Sequence, residues 1–510
     1  MGELTASRPG DVQWLSKNSS TPPGFEVVAE HAGYLPGISE DEIEWKILNC
    51  GPDGSSLEVL VPVLTDRQMT DLSTRVQLAC REHLKNRPVM EIVDIIDRTV
   101  SRLLDRQNVF RMKAEKLLPV VTGYDAEMVR LGLTRFLKTF RKPELTKFLA
   151  EDFTNVQILD AFQPLIKGGF GRAFGPDLLA HVWAGNVPGL PLWSLVGGLL
   201  VKAGNIGKVS SVEPLFAGWF AHALAEVAPE IADCLAVVWW KGGDTDREQV
   251  LFRQADVVLA YGGAESLKQI RDRLPITTRF LGYGHKISFG LISRAALDTR
   301  KAQPTAHRAA RDVAEYDQQG CYSPHLFFVE RGGRISPREF ADYLAHELTC
   351  LEKRYPRRTL SIAEAAKVAK WTQTEELKAI SSSHGEVLGD TAGLWSIAYY
   401  DQGTDLAPSG LNRTIRVVAL DNLHEVTSYI APYNSVLQTA GIAASPEELH
   451  LLAASLGEAG VTRISALGNM AAPEAGWHHD GRFNLLDLVT ITEIEQSASN
   501  AADEFTSYTD

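Results

Sequence analysis

Between residues 178 and 273 the spacing of apolar positions switches repeatedly between two patterns. Mostly apolar runs at 178–184, 235–240 and 256–261, and a shorter one at 206–209, have the length of strands. Between and after them, 191–202, 213–227, 246–254 and 264–273 carry apolar residues at helical spacing, with Phe216, Phe220 and Leu224 on one face. Apolar strands joined by helices predict a parallel sheet covered on both faces, and such sheets take ligands at the carboxyl ends of their strands. This stretch therefore reads as a nucleotide-binding domain. The alternation resumes further on, with strands at 326–330, 414–419 and 464–466 and helices at 337–353, 363–381 and 446–456, which predicts a second α/β domain. Residues 484–493 are strand-like and are expected to return to an earlier sheet or to a partner subunit.

The first part of the chain is patterned differently. Residues 57–64 read as a strand. Ile92, Ile95, Ile96, Val100, Leu103 and Leu104 share a helix face, and 131–140 is a further helix. No chemistry is visible before about residue 160, and a packed helical cap is the expectation there. Residues 1–40, rich in Ser, Pro, Gly and acids, read as a surface lead, and the small polar tail from 496 as frayed. The divisions expected are 1–160, a region of uncertain role; 161–300, with a late return at 484–493, the nucleotide-binding domain; 301–483, the catalytic α/β domain; and 494–510, an acidic tail.

A chain of 510 residues is too long for one core. Its 45% hydrophobic and 23% charged residues describe an ordinary globular protein, and a net charge of −13 argues against general binding to nucleic acid or anionic membrane. The opening has no apolar signal segment. The longest apolar stretch, 187–203, is broken by Pro188, Pro191 and glycines, so no membrane span is expected. The five cysteines are scattered and lack CxxC spacing, which indicates neither a disulfide framework nor zinc and fits a reducing cytoplasm.

One of those cysteines stands out. In Tyr316-Asp317-Gln318-Gln319-Gly320-Cys321-Tyr322-Ser323-Pro324 a helix-like run over 306–316 breaks into a polar, glycine-containing turn before an apolar strand. Such a turn leaves a thiol accessible, with a backbone amide placed to hold an oxyanion during attack on a carbonyl. Upstream, Trp183-Ala184-Gly185-Asn186-Val187-Pro188-Gly189 presents a side-chain amide where a strand gives way to a helix. At the next strand exit Lys208 precedes Ser210 and Ser211, a set suited to ribose hydroxyls and phosphates. Tyr261-Gly262-Gly263-Ala264 leaves backbone amides bare at a helix start, a plausible anion site. The loop Trp240-Lys241-Gly242-Gly243-Asp244 is of similar kind. His478, His479 and Asp480 lie together, but without a distant third ligand they do not read as a metal site; a histidine that shuttles a proton to the thiol or aldehyde and a turn stabilised by Asp480 are both open, and no role is assigned.

In this order, from about residue 171 to 489, the segments resemble those of the long-chain acyl-CoA reductases, the fatty-acid reductase component of bacterial luminescence systems. That family is a branch of the aldehyde dehydrogenase superfamily. The resemblance implies an aldehyde-dehydrogenase-like α/β fold, with Cys321 as nucleophile and Asn186, in the superfamily's Asn-x-Pro motif, completing the oxyanion hole. It implies Lys208 and Ser210 at the adenosine ribose, with Ser211, Gly262 and Gly263 bordering the cofactor, and NADPH rather than NADH. In hydrolytic members the segment matching Phe280-Leu281-Gly282-Tyr283-Gly284-His285-Lys286 carries a glutamate that activates water; here Gly282 falls at that place. Loss of a general base slows hydrolysis by a factor of ~10²–10⁴, which leaves an acyl-cysteine to be reduced or exchanged with another thiol.

The expectation is thus an NADPH-dependent reductase of acyl-CoA or acyl-carrier thioesters, served by an acyl-activating or acyl-transferring partner protein. By resemblance alone it is a homo-oligomer. The alternatives are a CoA-acylating aldehyde dehydrogenase running in reverse and a non-catalytic nucleotide-binding scaffold subunit.

Overall fold

A computed structural model describes residues 28–51, 57–382, 384–403 and 406–505. The expected surface lead falls mostly outside the described residues, as does the end of the tail. The run of apolar strands forms a five-stranded, wholly parallel sheet in the order Arg279–Tyr283, Val257–Tyr261, Leu178–Val182, Gly204–Lys208, Leu235–Val238. Strand Leu178–Val182 is central. The chain winds to one side of it, then crosses back to the other, so the loops after these strands converge where the order reverses.

The second sheet has seven strands, in the order Gly385–Gly389, Ser396–Tyr400, Thr414–Leu420, Pro324–Glu330, Ile287–Ile292, Leu437–Ala443, Arg463–Ala466. Only the edge pair formed by Gly385–Gly389 and Ser396–Tyr400 is antiparallel. Two of its covering helices start on capping boxes that the sequence spells out. Ser336 and Glu339 cap Pro337–Arg354, and Ser445 and Glu448 cap Pro446–Glu458, each with proline in the first turn.

The helices before residue 160 do not stand apart. Ile92, Ile96, Leu133 and Leu149 are fully buried in one continuous core with Leu179, Leu195, Phe220 and Leu235 of the first sheet and its helices. Each such side chain contributes about 1.5–3 kcal/mol, so this shared core fixes the early helices against the sheet. The late segment is tied down as well. Buried Asp152 accepts hydrogen bonds from the Leu485 and Leu486 amides, at 2.5 and 2.9 Å. Strand Thr490–Ile494 then pairs antiparallel with Phe170–Phe174 in a small separate sheet, its side chains exposed. The polar segment after it forms a short helix, Gln496–Asp503, where fraying is the sequence expectation.

Candidate active site

The helix that leads to the cysteine, Ala302–Ala314, ends earlier than its apolar spacing suggests. Tyr316, Asp317 and Gln318 all take the left-handed conformation, with φ of 48°, 48° and 62°. For non-glycine residues this costs about 1–2 kcal/mol each, so the surroundings must impose it. They do so through a second left-handed triplet, Leu411, Asn412 and Arg413. The Asn412 amide donates to the Asp317 carbonyl at 2.9 Å, and Arg413 Nε donates to Asp317 Oδ1 at 2.8 Å. Gln318 accepts from the Thr414 amide and donates to the carbonyls of Thr414 and Pro324, at 2.8–3.0 Å. Beyond the turn, Ser288 Oγ donates to the Cys321 carbonyl at 2.8 Å and accepts from the Thr439 amide at 3.1 Å. The cysteine thus sits on a strained turn clamped from both sides, a feature that concentrates at functional sites.

Asn186 meets this turn. Its Nδ2 donates to the Gln319 carbonyl at 2.5 Å, which uses one of the two amide N–H groups. Its Oδ1 is buried with no hydrogen-bond partner among the described residues. The Tyr124 hydroxyl donates to its backbone carbonyl at 2.8 Å, so the early helical region helps to position it.

Cys321 opens into a cavity walled by Phe148, Leu190, Trp193, Leu259, Tyr261, Tyr283, Tyr322, Trp477, His479 and Leu488. The thiol is pushed up to about 11, chiefly by burial. A hydrogen bond from the Gln438 side chain and the charge of Arg463 act the other way, while the Asp480 carboxylate raises it further. His479 stacks on Tyr283, with ring centroids 4.3 Å apart and planes at 12°, and leans on Trp477 at 4.8 Å. Burial pulls it down to about 4, so at neutral pH it is an uncharged aromatic wall. Among the described residues no carboxylate lines the cavity. Gly282 lies on the edge strand Arg279–Tyr283, and a side chain there would meet Phe280 and Leu267, whereas Tyr283 faces the cavity.

The other sequence-identified residues gather at the carboxyl edge of the five-stranded sheet. Lys208 ends its strand buried, and burial lowers its pKa. Glu248 favours its charged form, but its ammonium makes no hydrogen bond or ion pair among the described residues. Ser210 Oγ accepts from the Val212 amide, and Ser211 Oγ accepts from Trp239 Nε1 at 3.0 Å. Gly263 is the N-cap of helix Ala264–Arg273 without any side-chain cap, and Gly262 precedes it. Gly242 and Gly243 have open space around them. Glu213 is turned inward, where its carboxylate accepts from the Leu215 and Phe216 amides and caps helix Phe216–Ala225. A buried unpaired cation, a bare helix start and open glycine loops on one sheet edge form a cradle that fits a phosphate-bearing dinucleotide.

Three contributors escape sequence reasoning. Phe148 comes from the early helices judged free of chemistry, Gln438 from an unremarkable strand, and His479 from a segment whose role stays open in the sequence. No periodicity marks any of them; only the fold brings them to Cys321.

A sequence model of the family described as acyl-CoA reductase (LuxC) matches residues 84–491. The long-chain acyl-protein thioester reductase of Vibrio harveyi is 24% identical over 425 residues, 82% of this chain and 85% of that protein. The protein of the same name from Photorhabdus luminescens is 27% identical over 385 residues, 74% and 76%. Among solved structures, aldehyde dehydrogenase 21 from Physcomitrella patens matches with a TM-score of 0.71 at 12% identity, over 92% of this chain and 98% of that one. The NADP-dependent glyceraldehyde-3-phosphate dehydrogenase from Bacillus halodurans, complexed with NADP, matches with a TM-score of 0.65 at 13% identity, over 89% and 96%. The aldehyde dehydrogenase fold is therefore shared.

Proposed function

The chain belongs to the acyl-CoA reductase (LuxC) family, and we propose that it reduces a fatty acyl thioester to the aldehyde with NADPH, through an acyl group carried on Cys321. One observation carries this reading. The Cys321 thiol opens into an aromatic and aliphatic cavity that no carboxylate lines among the described residues.

The thiol must first lose its proton, which burial opposes. The thiolate then attacks the acyl carbonyl, the Cys321 sulfur–carbon bond forms, and the CoA or carrier thiol leaves. The second N–H of Asn186 and the Cys321 amide are the donors for the oxyanion. With no carboxylate lining the cavity among the described residues, the base that hydrolytic relatives use to activate water is missing, and the acyl-cysteine persists. Bound NADPH would supply the hydride that reduces it, held by Lys208, the Gly262–Gly263 helix start and the loop at Ser210 and Ser211. Glu213 is committed to its helix cap, so it is not free to pair with the ribose 2′-hydroxyl as the carboxylate of an NAD site does. The apolar cavity suits an alkyl chain. The relatives named as acyl-protein thioester reductases support a protein-borne donor alongside CoA. Homo-oligomerisation and a cytoplasmic setting, in which the thiol stays reduced, complete the proposal.

The test is NADPH oxidation with tetradecanoyl-CoA, with the product trapped as a hydrazone. Stoichiometric aldehyde is expected, with NADH a poorer donor. Free fatty acid in place of aldehyde, or no acyl-dependent oxidation at any chain length, overturns the proposal.

A further inference from the structure

The turn between helices Val109–Thr122 and Ala126–Lys138 is stopped on both sides. Gly123 closes the first helix with φ of 76°, and the Asp125 side chain caps the second by accepting from the Glu127 and Met128 amides. Tyr124, between the two stops, is buried. Its hydroxyl donates to the Asn186 carbonyl at 2.8 Å, and no other donor reaches that carbonyl among the described residues. Its ring meets the Tyr316 ring edge-on, with centroids 5.4 Å apart and planes at 73°, and the Arg358 guanidinium lies 5.8 Å over it. Arg358 in turn donates from its backbone amide to Asp317 Oδ2 at 3.2 Å and from its side chain to Asn412 Oδ1 at 3.2 Å. One side chain therefore joins the Asn186 loop to the left-handed turn before Cys321, and Arg358 ties in the second left-handed triplet.

The contact is part of a seat. Positions 124, 128, 132 and 135 recur at helical spacing, and each meets the entry to the nucleophile turn. Met128 Sδ accepts from the Tyr316 amide at 3.3 Å, a side chain at Gly132 would overlap the Tyr316 hydroxyl, and Arg135 pairs with Glu315. Asn186 follows strand Leu178–Val182 of the first sheet, whereas Cys321 precedes strand Pro324–Glu330 of the second. Their register therefore depends on what spans the two. We propose that Tyr124 is a positioning residue for the reaction: its hydroxyl sets the Asn186 backbone against the nucleophile turn, so that the free N–H of the Asn186 amide and the Cys321 amide converge on one oxyanion. The role rests on the acyl-cysteine reading above. Burial keeps the Tyr124 hydroxyl protonated, and so a donor, far above neutral pH. A hydroxyl present for stability alone would act equally whether or not Asn186 has its side chain. A positioning hydroxyl acts only through it.

The test is a double-mutant cycle on the pre-steady-state release of CoA from tetradecanoyl-CoA, with Tyr124→Phe, Asn186→Ala and the two combined. Phenylalanine keeps the ring against Tyr316 and removes only the hydroxyl, so the fold is retained. Tyr124→Phe is expected to slow acylation by about tenfold or more, as small displacements of a reacting geometry do, with KM little changed. In the Asn186→Ala background the same substitution should slow it by less than about twofold, the limit within which independent effects add. Any loss of Tm, by contrast, should be the same in both backgrounds. A Tyr124→Phe rate within about twofold of wild type overturns the proposal. So does an equal slowing in both backgrounds, which marks a purely structural hydroxyl. Wild type that releases no CoA overturns the acyl-cysteine reading and this proposal with it, and that failure is read on the wild type alone.

Discussion

Replacing Asn186 with alanine separates two roles that the structure allows the side chain. In one, the amide only braces the nucleophile turn through its 2.5 Å bond to the Gln319 carbonyl. A neutral hydrogen bond of that sort contributes about 0.5–1.5 kcal/mol, and the turn keeps its bonds from Gln318, Asn412 and Ser288. Loss of the brace alone would then slow acylation by about tenfold at most, since 1.4 kcal/mol corresponds to a factor of ten. In the other role, the remaining N–H receives the charge that develops on the acyl oxygen. Removing such a donor costs a factor of about 10²–10³, or about 2.7–4 kcal/mol. The account predicts the larger loss. The assay is the pre-steady-state release of CoA from tetradecanoyl-CoA, which reports acylation without reduction. KM should move little, because the interaction strengthens only in the transition state. A rate within tenfold of wild type would refute the oxyanion role and leave Asn186 as a brace.

Two further outcomes follow from the surroundings of the turn. Arg413 is fully buried and pairs with Asp317 at 2.8 Å and Glu352 at 2.5 Å, so Arg413→Met should remove the guanidinium that both carboxylates share and destabilise the second α/β half by about 3–5 kcal/mol, seen as an earlier loss of Cys321 protection in a urea series; an unchanged midpoint would contradict this. Asp312, buried on the helix that leads to the turn, is raised to about 7 by burial, against hydrogen bonds from the Gly468 and Met470 amides. Its folded form therefore holds a proton that the unfolded chain has lost, so its contribution favours folding below pH 4 and fades as pH rises from about 4 to 7. Asp312→Asn should flatten the pH dependence of thermal stability across that window, and an unaltered profile would show that Asp312 is not its source.

The fold was largely legible because its central sheet is buried on both faces. Strands such as 257–261 then become unbroken apolar runs, and their joining helices carry punctual caps. The strands at 287–292, 385–389, 396–400 and 437–443 escaped notice. Leu437–Ala443 mixes Gln438, Thr439 and Gly441 into a buried strand, and Gly385–Gly389 is a half-exposed edge. Neither gives a clean period. Of the candidate site, the placement was legible where it is local: Asn186 meets the turn that carries Cys321, and 262–263 sit at a helix start. It was hidden where residues far apart in sequence meet. The left-handed turn at 411–413 and the wall from Phe148 to His479 both depend on tertiary contacts that no spacing encodes. Thiol exposure was also misjudged: the turn leaves Cys321 only partly accessible, and burial makes its proton hard to remove.

The most direct measurement is a single turnover with radiolabelled tetradecanoyl-CoA on wild type and Cys321→Ala, with protein trapped before and after NADPH is added. The account predicts label held by wild type, absent from the variant and discharged as tetradecanal when NADPH arrives. Label retained by both proteins would move the nucleophile elsewhere and contradict it.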